Sequence, residues 1–181
     1  MRRRVAAALL IIAALSPAMA QPSSPTTFQV EDKNGKPVAV FTFDSKQHRY
    51  EGLLFCQQGH RFLTIMDRDD SVPPVLRTMI GFPAEFAANG RAIGGSATYA
   101  ARTGVMPSML FFDVPLLDHQ SFAGTGFSLS NIANPRLSAN ASPGDRVAWT
   151  DAVTAFSFTI TATNGEQTLP LVFRNCRTGS N

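Results

Sequence analysis

Hydrophobic and polar residues alternate over short stretches through most of the chain, which is the pattern of half-buried β-strands. The alternation predicts extended segments over 27–31, 38–43, 50–56, 61–66, 75–82, 92–100, 109–114 and 127–129. The first four follow one another with only short polar turns between them, so they predict a meander. The segment 50–56 is apolar on both faces towards its end. The whole pattern predicts an all-β, single-domain antiparallel β-sandwich or partly closed barrel.

Four other stretches interrupt this alternation. Residues 84–90 predict one helical turn closed by Gly90, and a second short helix is predicted near 118–122. The dipeptide Gly94-Gly95 inside the strand 92–100 predicts a bulge or a close crossing of two backbones. The Asn-, Ser- and Pro-rich run 131–144 predicts a long loop.

The clearest pattern lies near the C-terminus, over residues 153–176. Three apolar residues alternate with small and hydroxyl-bearing ones, and then Asn164-Gly165 supplies the residue types typical of a tight hairpin turn. Folding the chain about this dipeptide aligns three apolar pairs, Phe156–Phe173, Phe158–Leu171 and Ile160–Leu169, on one face. Pro170 favours a four-residue loop and a position near a sheet edge. We therefore expect a β-hairpin in the hydrophobic core.

The N-terminus has the organisation of an export signal. Arg2, Arg3 and Arg4 precede an apolar run over 5–15, and Ala18-Met19-Ala20 fits the small-residue rule for cleavage before Gln21. The run is too short to span a bilayer, and an uncleaved amphipathic anchor is the alternative. The sequence thus predicts a signal peptide over 1–20, a flexible leader over 21–26 and one β-rich domain over 27–181. We expect an extracytoplasmic protein, periplasmic or secreted after Sec-type export.

Removal of the signal changes the charge balance. The full chain has 16 basic and 13 acidic residues, and three of the basic ones belong to the predicted signal, which leaves 13 against 13. A neutral mature chain offers no basic surface for an anionic partner. We therefore expect no nucleic-acid partner and no membrane insertion after signal removal; the sequence makes no prediction of oligomeric state.

Cys56 and Cys176 are the only cysteines. An even pair in an exported protein predicts a disulfide. The alternative is a reactive or metal-binding pair, and the absence of a C-x-x-C spacing weighs against it.

The remaining chemistry-bearing residues give only weak signals. His48, His60 and His119 could form a soft copper site together with the methionines Met66, Met79, Met106 and Met109. We favour turn and loop histidines with core methionines, because the histidines lack metal-ligand spacing. The acidic run Asp67, Asp69 and Asp70 lacks the glycine and the late glutamate of a calcium loop.

A hydrolase would need a histidine–aspartate pair, drawn from His60 or His119 with Asp113 or Asp118, and a serine. No G-x-S-x-G motif occurs. We therefore predict no catalytic residue, no metal ligand and no cofactor.

The uncharged stretch 104–112 indicates where a partner would bind. Pro107 cannot donate to a strand ladder, so the start of the stretch should lie at a loop or strand edge. Flexible methionines at such an edge suit adaptable apolar binding. We predict that Met106 and Met109 border a partner site, while Phe111 and Phe112 belong mainly to the fold.

These observations favour a non-catalytic binding or accessory module of the cell envelope, with an envelope protein as partner. The alternatives are a small extracytoplasmic hydrolase that uses a His/Asp pair and, less favoured, a metal-handling protein.

Overall fold

The computed structural model describes residues 25–46, 48–122, 126–137, 141–174 and 176. The predicted signal peptide over 1–20 and leader residues 21–24 lie outside the described residues. Pro25 is exposed, and Thr26 is buried and hydrogen-bonded.

One antiparallel sheet dominates the described part of the chain. Its strands are β1 (Gln29–Lys33), β2 (Lys36–Ser45), β3 (His48–Gln57), β4 (His60–Asp67), β5 (Phe82–Ala88), β6 (Arg91–Ala100), β7 (Ser108–Asp113), β8 (Phe127–Ile132) and β9 (Thr159–Ile160). Their order in the sheet is β1-β2-β3-β4-β7-β6-β5-β8-β9. Two α-helices, α1 (Pro143–Phe156) and α2 (Gly165–Val172), and short 3₁₀ helices at Pro74–Thr78 and His119–Phe122 complete the fold. The predicted all-β class and partly closed barrel are confirmed.

The two ends of the sheet meet at a seam beside the first described residues. The backbone of Thr26 donates to Thr161 O at 2.7 Å and accepts from Thr163 N at 2.9 Å. Two residues further on, the side-chain amide of Asn164 accepts from Phe28 N at 2.9 Å and donates to Phe28 O at 2.8 Å. The amide thus stands in for a strand backbone, which satisfies both polar groups of Phe28 where regular pairing ends.

The two helices lie at opposite ends of the barrel. Just after α1, the carbonyl of Ser157 accepts from the hydroxyl of Ser45, the last residue of β2. Just after α2, Cys176 is tied to Cys56 near the end of β3, which lies beside the beginning of β2. Between the helices, the inward-facing side chains of the strands form one aromatic-rich core.

The predicted C-terminal hairpin is wrong. Residues 153–156 complete α1, whose buried positions Trp149, Ala152, Val153 and Phe156 follow the helical period. Gly165 is the first residue of α2 rather than a turn residue, and α2 buries Leu169 and Val172 while Leu171 is exposed. Only Phe158 and Ile160 keep the predicted extended alternation, around β9. Packing at helical spacing against the barrel ends therefore outweighs the local strand pattern.

Two shorter predictions are also wrong. The segment 75–82 begins as the 3₁₀ helix Pro74–Thr78, and the turn predicted over 84–90 is largely strand β5. Asn89 and Gly90, with φ of 49° and 72°, form the tight hairpin turn between β5 and β6. They do not close a helix.

Most of the remaining predictions of local structure hold, but the loop predicted over 131–144 is too long at both ends, because β8 extends to Ile132 and α1 begins at Pro143. The meander β1–β4, the strands β6, β7 and β8, and the short helix at His119–Phe122 are confirmed. The glycine pair in β6 marks a close crossing, because a Cβ at Gly95 would collide with the backbone oxygen of Asp113.

Candidate functional site

The outward faces of the neighbouring strands β3, β4 and β7 form a regular grid of nine side chains. Each row takes one residue from each strand, and the rows are Glu51–Met66–Met109, Leu53–Thr64–Phe111 and Phe55–Phe62–Asp113. Seven of the nine are uncharged. We call these seven the apolar wall: Leu53, Phe55, Phe62, Thr64, Met66, Met109 and Phe111.

The apolar wall is distinct from the core. Its residues alternate along each strand with fully buried ones such as Leu54, Leu63 and Leu110, so they point away from the barrel interior. Its six large apolar side chains are half-buried, and none belongs to the core cluster. The outward positions of β5, β6 and β8 carry residues of a different kind, including Glu85, Gly94, Ser96, Thr98, Ser128 and Ser130. Apolar side chains are therefore concentrated on one side of the barrel.

The wall is packed rather than loose. Phe55 and Phe62 stack with ring centroids 5.4 Å apart and planes 27° apart. Thr64, at the centre of the grid, is only 1% exposed because it is surrounded by larger side chains. Within the described residues its hydroxyl has no hydrogen-bond partner. The larger side chains around Thr64 therefore cover it almost completely.

Two acidic residues occupy opposite corners of the grid, and each has a cationic or titratable neighbour. Glu51 accepts from the guanidinium of Arg68 at 2.7 Å, and Asp113 lies 2.9 Å from Nδ1 of His60. Between these two corners the grid carries no charged side chain.

The structure thus brings together one of the pairs that a hydrolase would need. The geometry does not extend to a catalytic triad: the cross-strand neighbour Ser96 lies on the far side of Asp113, and among the described residues no serine hydrogen-bonds to His60. In a triad the histidine must lie between the nucleophile and the carboxylate. His119 is in a separate 3₁₀ helix, and Asp118 is engaged with the backbone and hydroxyl of Ser121.

The two methionines predicted to border a partner site lie on the same hairpin. Met109 is part of the wall and faces Met66 across the β4–β7 pair. Met106 lies in the β6–β7 turn and is 51% exposed, and Val105 before it is 99% exposed. Phe112 is fully buried in the core as expected, whereas Phe111 lies on the wall.

The structure does not bring Met66 together with His60. Met79 is fully buried, and His60 is six residues from Met66 along β4, a separation of roughly 20 Å in an extended strand. No group of three or more metal-binding side chains of the His, Cys, Asp and Glu types occurs in the part of the chain that the structure describes.

The first aspartate of the acidic run is held by hydrogen bonds within the protein. Asp67 is fully buried and accepts from the backbone and hydroxyl of Ser71 and from the backbone of Val72. The hydroxyl of Tyr50 also contacts Ser71, at 2.9 Å, and burial raises the pKa of Tyr50. Asp67 therefore stabilises the loop that follows β4.

The predicted disulfide is present. Cys56 and Cys176 are bonded, with their Cα atoms 5.4 Å apart. A depression of about 290 Å³ opens beside the bond and is lined by Gly35, Lys36, Pro37, Cys56, Gln57, Gln58 and Val172.

Sequence reasoning missed most of the wall, although a signal was available. Apolar residues stand at consecutive positions in three strands, over 53–55, 62–63 and 109–112. Such runs leave apolar side chains on both faces of a strand, and only one of those faces can point into this barrel.

No protein-family model, curated protein or solved structure matches this chain. Among the described residues, no helix has both the length and the apolar character needed to cross a membrane.

Proposed function

We propose that the protein is an exported, non-catalytic binding module whose apolar wall holds the apolar face of an amphipathic helix from an envelope protein. The observation that carries this proposal is the concentration of half-buried aromatic, leucine and methionine side chains on the outer face of β3, β4 and β7. An exposed apolar patch with charged residues at its edge is typical of an interaction surface.

The pairing of the strands favours a helix as the occupant. β3, β4 and β7 are each hydrogen-bonded to a neighbour on both sides. A partner therefore cannot add a strand here and must bind through side chains. The grid measures roughly 10 Å across the strands and 13 Å along them, which is close to the width of a helix and about two of its turns.

The composition of the wall also supports a protein partner. Met66 and Met109 form one edge, and Met106 lies on the same hairpin beyond it. Methionine side chains adapt to partners of different shape. The disulfide and the predicted signal peptide support an oxidising, extracytoplasmic location for this contact.

Capture experiments test the proposal. The mature protein, immobilised and exposed to an envelope fraction, should retain a partner that Phe111→Lys and Met109→Lys each retain at least about tenfold less well. An ammonium buried within an apolar contact costs at least as much as losing a hot-spot side chain. Ala92→Lys, at an exposed position of β6 outside the wall, is the matched control and should capture the partner like the native chain.

All three variants should keep the native far-UV circular dichroism spectrum. Retention of the same partner by natively folded Phe111→Lys and Met109→Lys at the native level would refute the wall as the binding site.

A further inference from the structure

The depression beside the disulfide gives access to one cysteine and not to the other. Cys56 lines the depression and is partly exposed. Cys176 is only 3% exposed and does not line it. A molecule that enters the depression therefore contacts Cys56 rather than Cys176.

The charged side chain that lines the depression is positive. Lys36 is an ionisable side chain in its lining, and the amides of Gln57 and Gln58 are the other polar side chains. The nearby Lys33 is instead paired with Glu31 and does not line the depression. An anion entering the depression would approach the Lys36 ammonium, whereas a cation would be repelled by it.

We propose that Cys56 is a modification site for small anionic thiols, which enter the depression and open the disulfide from this side. The thiolate sulfur of the entering molecule forms a bond with Sγ of Cys56, and the bond between Cys56 and Cys176 breaks. The electron pair of the broken bond leaves on Sγ of Cys176 as a thiolate, which takes up a proton from water. The entering thiol is oxidised to a mixed disulfide on Cys56, and Cys176 is reduced.

Exchange at the sulfur of Cys176 is disfavoured because this residue is buried. An attacking thiolate must reach the sulfur itself, so the rate depends on which sulfur is exposed. Because Cys176 is buried, attack there would first require local unfolding around this residue.

The experiment uses the folded, oxidised protein and two probes, 2-mercaptoethanesulfonate as the anionic thiol and cysteamine as the cationic one. The reaction is stopped with acid at early times, and the adduct is located by peptide mass spectrometry. Each rate is divided by the rate of the same thiol with hydroxyethyl disulfide, which corrects for intrinsic reactivity. We expect the adduct on Cys56, and a corrected preference for the anionic thiol of roughly two- to fivefold, the range of a single exposed charge interaction.

Lys36→Gln should reduce this preference to about one, and Lys46→Gln, the matched control just after the other end of β2, should leave it unchanged. The proposal is overturned if the adduct forms on Cys176 or equally on both cysteines. It is also overturned if no adduct forms without denaturant, or if Lys36→Gln reacts with the same preference as the native chain.

Discussion

Phe112→Ser should lower the free energy of unfolding by about 4 kcal/mol or more, while Phe111→Ser should lower it by only about 1 kcal/mol. Phe112 is fully buried, and its ring lies edge-on to the rings of Phe86 and Phe158 at centroid distances of 5.4 and 5.9 Å. Truncating such a ring removes its transfer energy and leaves a cavity. The ring of Phe111 is already partly in water, so much less is lost.

The comparison is informative because the two residues are adjacent in one strand. A register shift of one residue would exchange their faces and therefore their costs. Urea unfolding of both variants measures the difference directly. Equal destabilisation, or a larger effect at Phe111, would contradict the assignment of Phe111 to the outer wall.

Cys56→Ser should lower the free energy of unfolding by about 5 kcal/mol, and the melting temperature by roughly 10–20 °C. The bond joins residues 120 positions apart, so it removes a large amount of conformational entropy from the unfolded chain. Differential scanning calorimetry of the native protein and the variant, both without reductant, checks this result.

The native protein in a strong dithiol reductant is the control, since it should melt close to the Cys56→Ser variant. In a non-reducing gel the variant should also lose the faster migration of the cross-linked chain. If the variant melts within a few degrees of the native protein, the disulfide does not stabilise the fold by restricting the unfolded chain.

The strands were largely predictable because their pattern is local. In β2 the buried Ala39, Phe41 and Phe43 alternate with less buried residues, and the tight turns between the strands use residues that tolerate positive φ. Asn34-Gly35 and Asn89-Gly90 both adopt this conformation and connect adjacent strands.

Asn164-Gly165 shows why the same dipeptide misled the prediction at the C-terminus. The φ of Asn164 is −130°, and its amide is used by the backbone of Phe28, 136 residues away. That contact depends on closure of the barrel, which no local pattern reports.

Helix α1 had a local signal that the strand pattern obscured. Ser142 and Asp145 form a capping interaction, in which the Ser142 hydroxyl accepts from Asp145 N at 3.1 Å, and Pro143 occupies the first turn. The following buried positions, Trp149, Ala152, Val153 and Phe156, have helical spacing. Phe156 belongs to this helical series and also to the alternating series that continues to Ile160. The alternating series alone led to the strand prediction.

The candidate site was predictable only in part. Met109 was identified from the uncharged stretch in which it lies, and its exposure follows from strand alternation. The rest of the wall depends on β7 lying beside β4, although one 3₁₀ helix and two strands separate them along the chain. Non-local pairing of this kind brings Leu53, Thr64 and Phe111 into one row.

Site-specific photo-crosslinking from the wall tests the central claim most directly. A photoreactive benzoylphenylalanine in place of Leu53 or of Met66 should crosslink to the same helix of one envelope protein, because both positions lie on the wall. The same group in place of Ala92 on β6 or Ser130 on β8, both exposed outward positions, should give no such product. Crosslinks of equal yield from the wall and from the control positions, or none from the wall, would contradict the account.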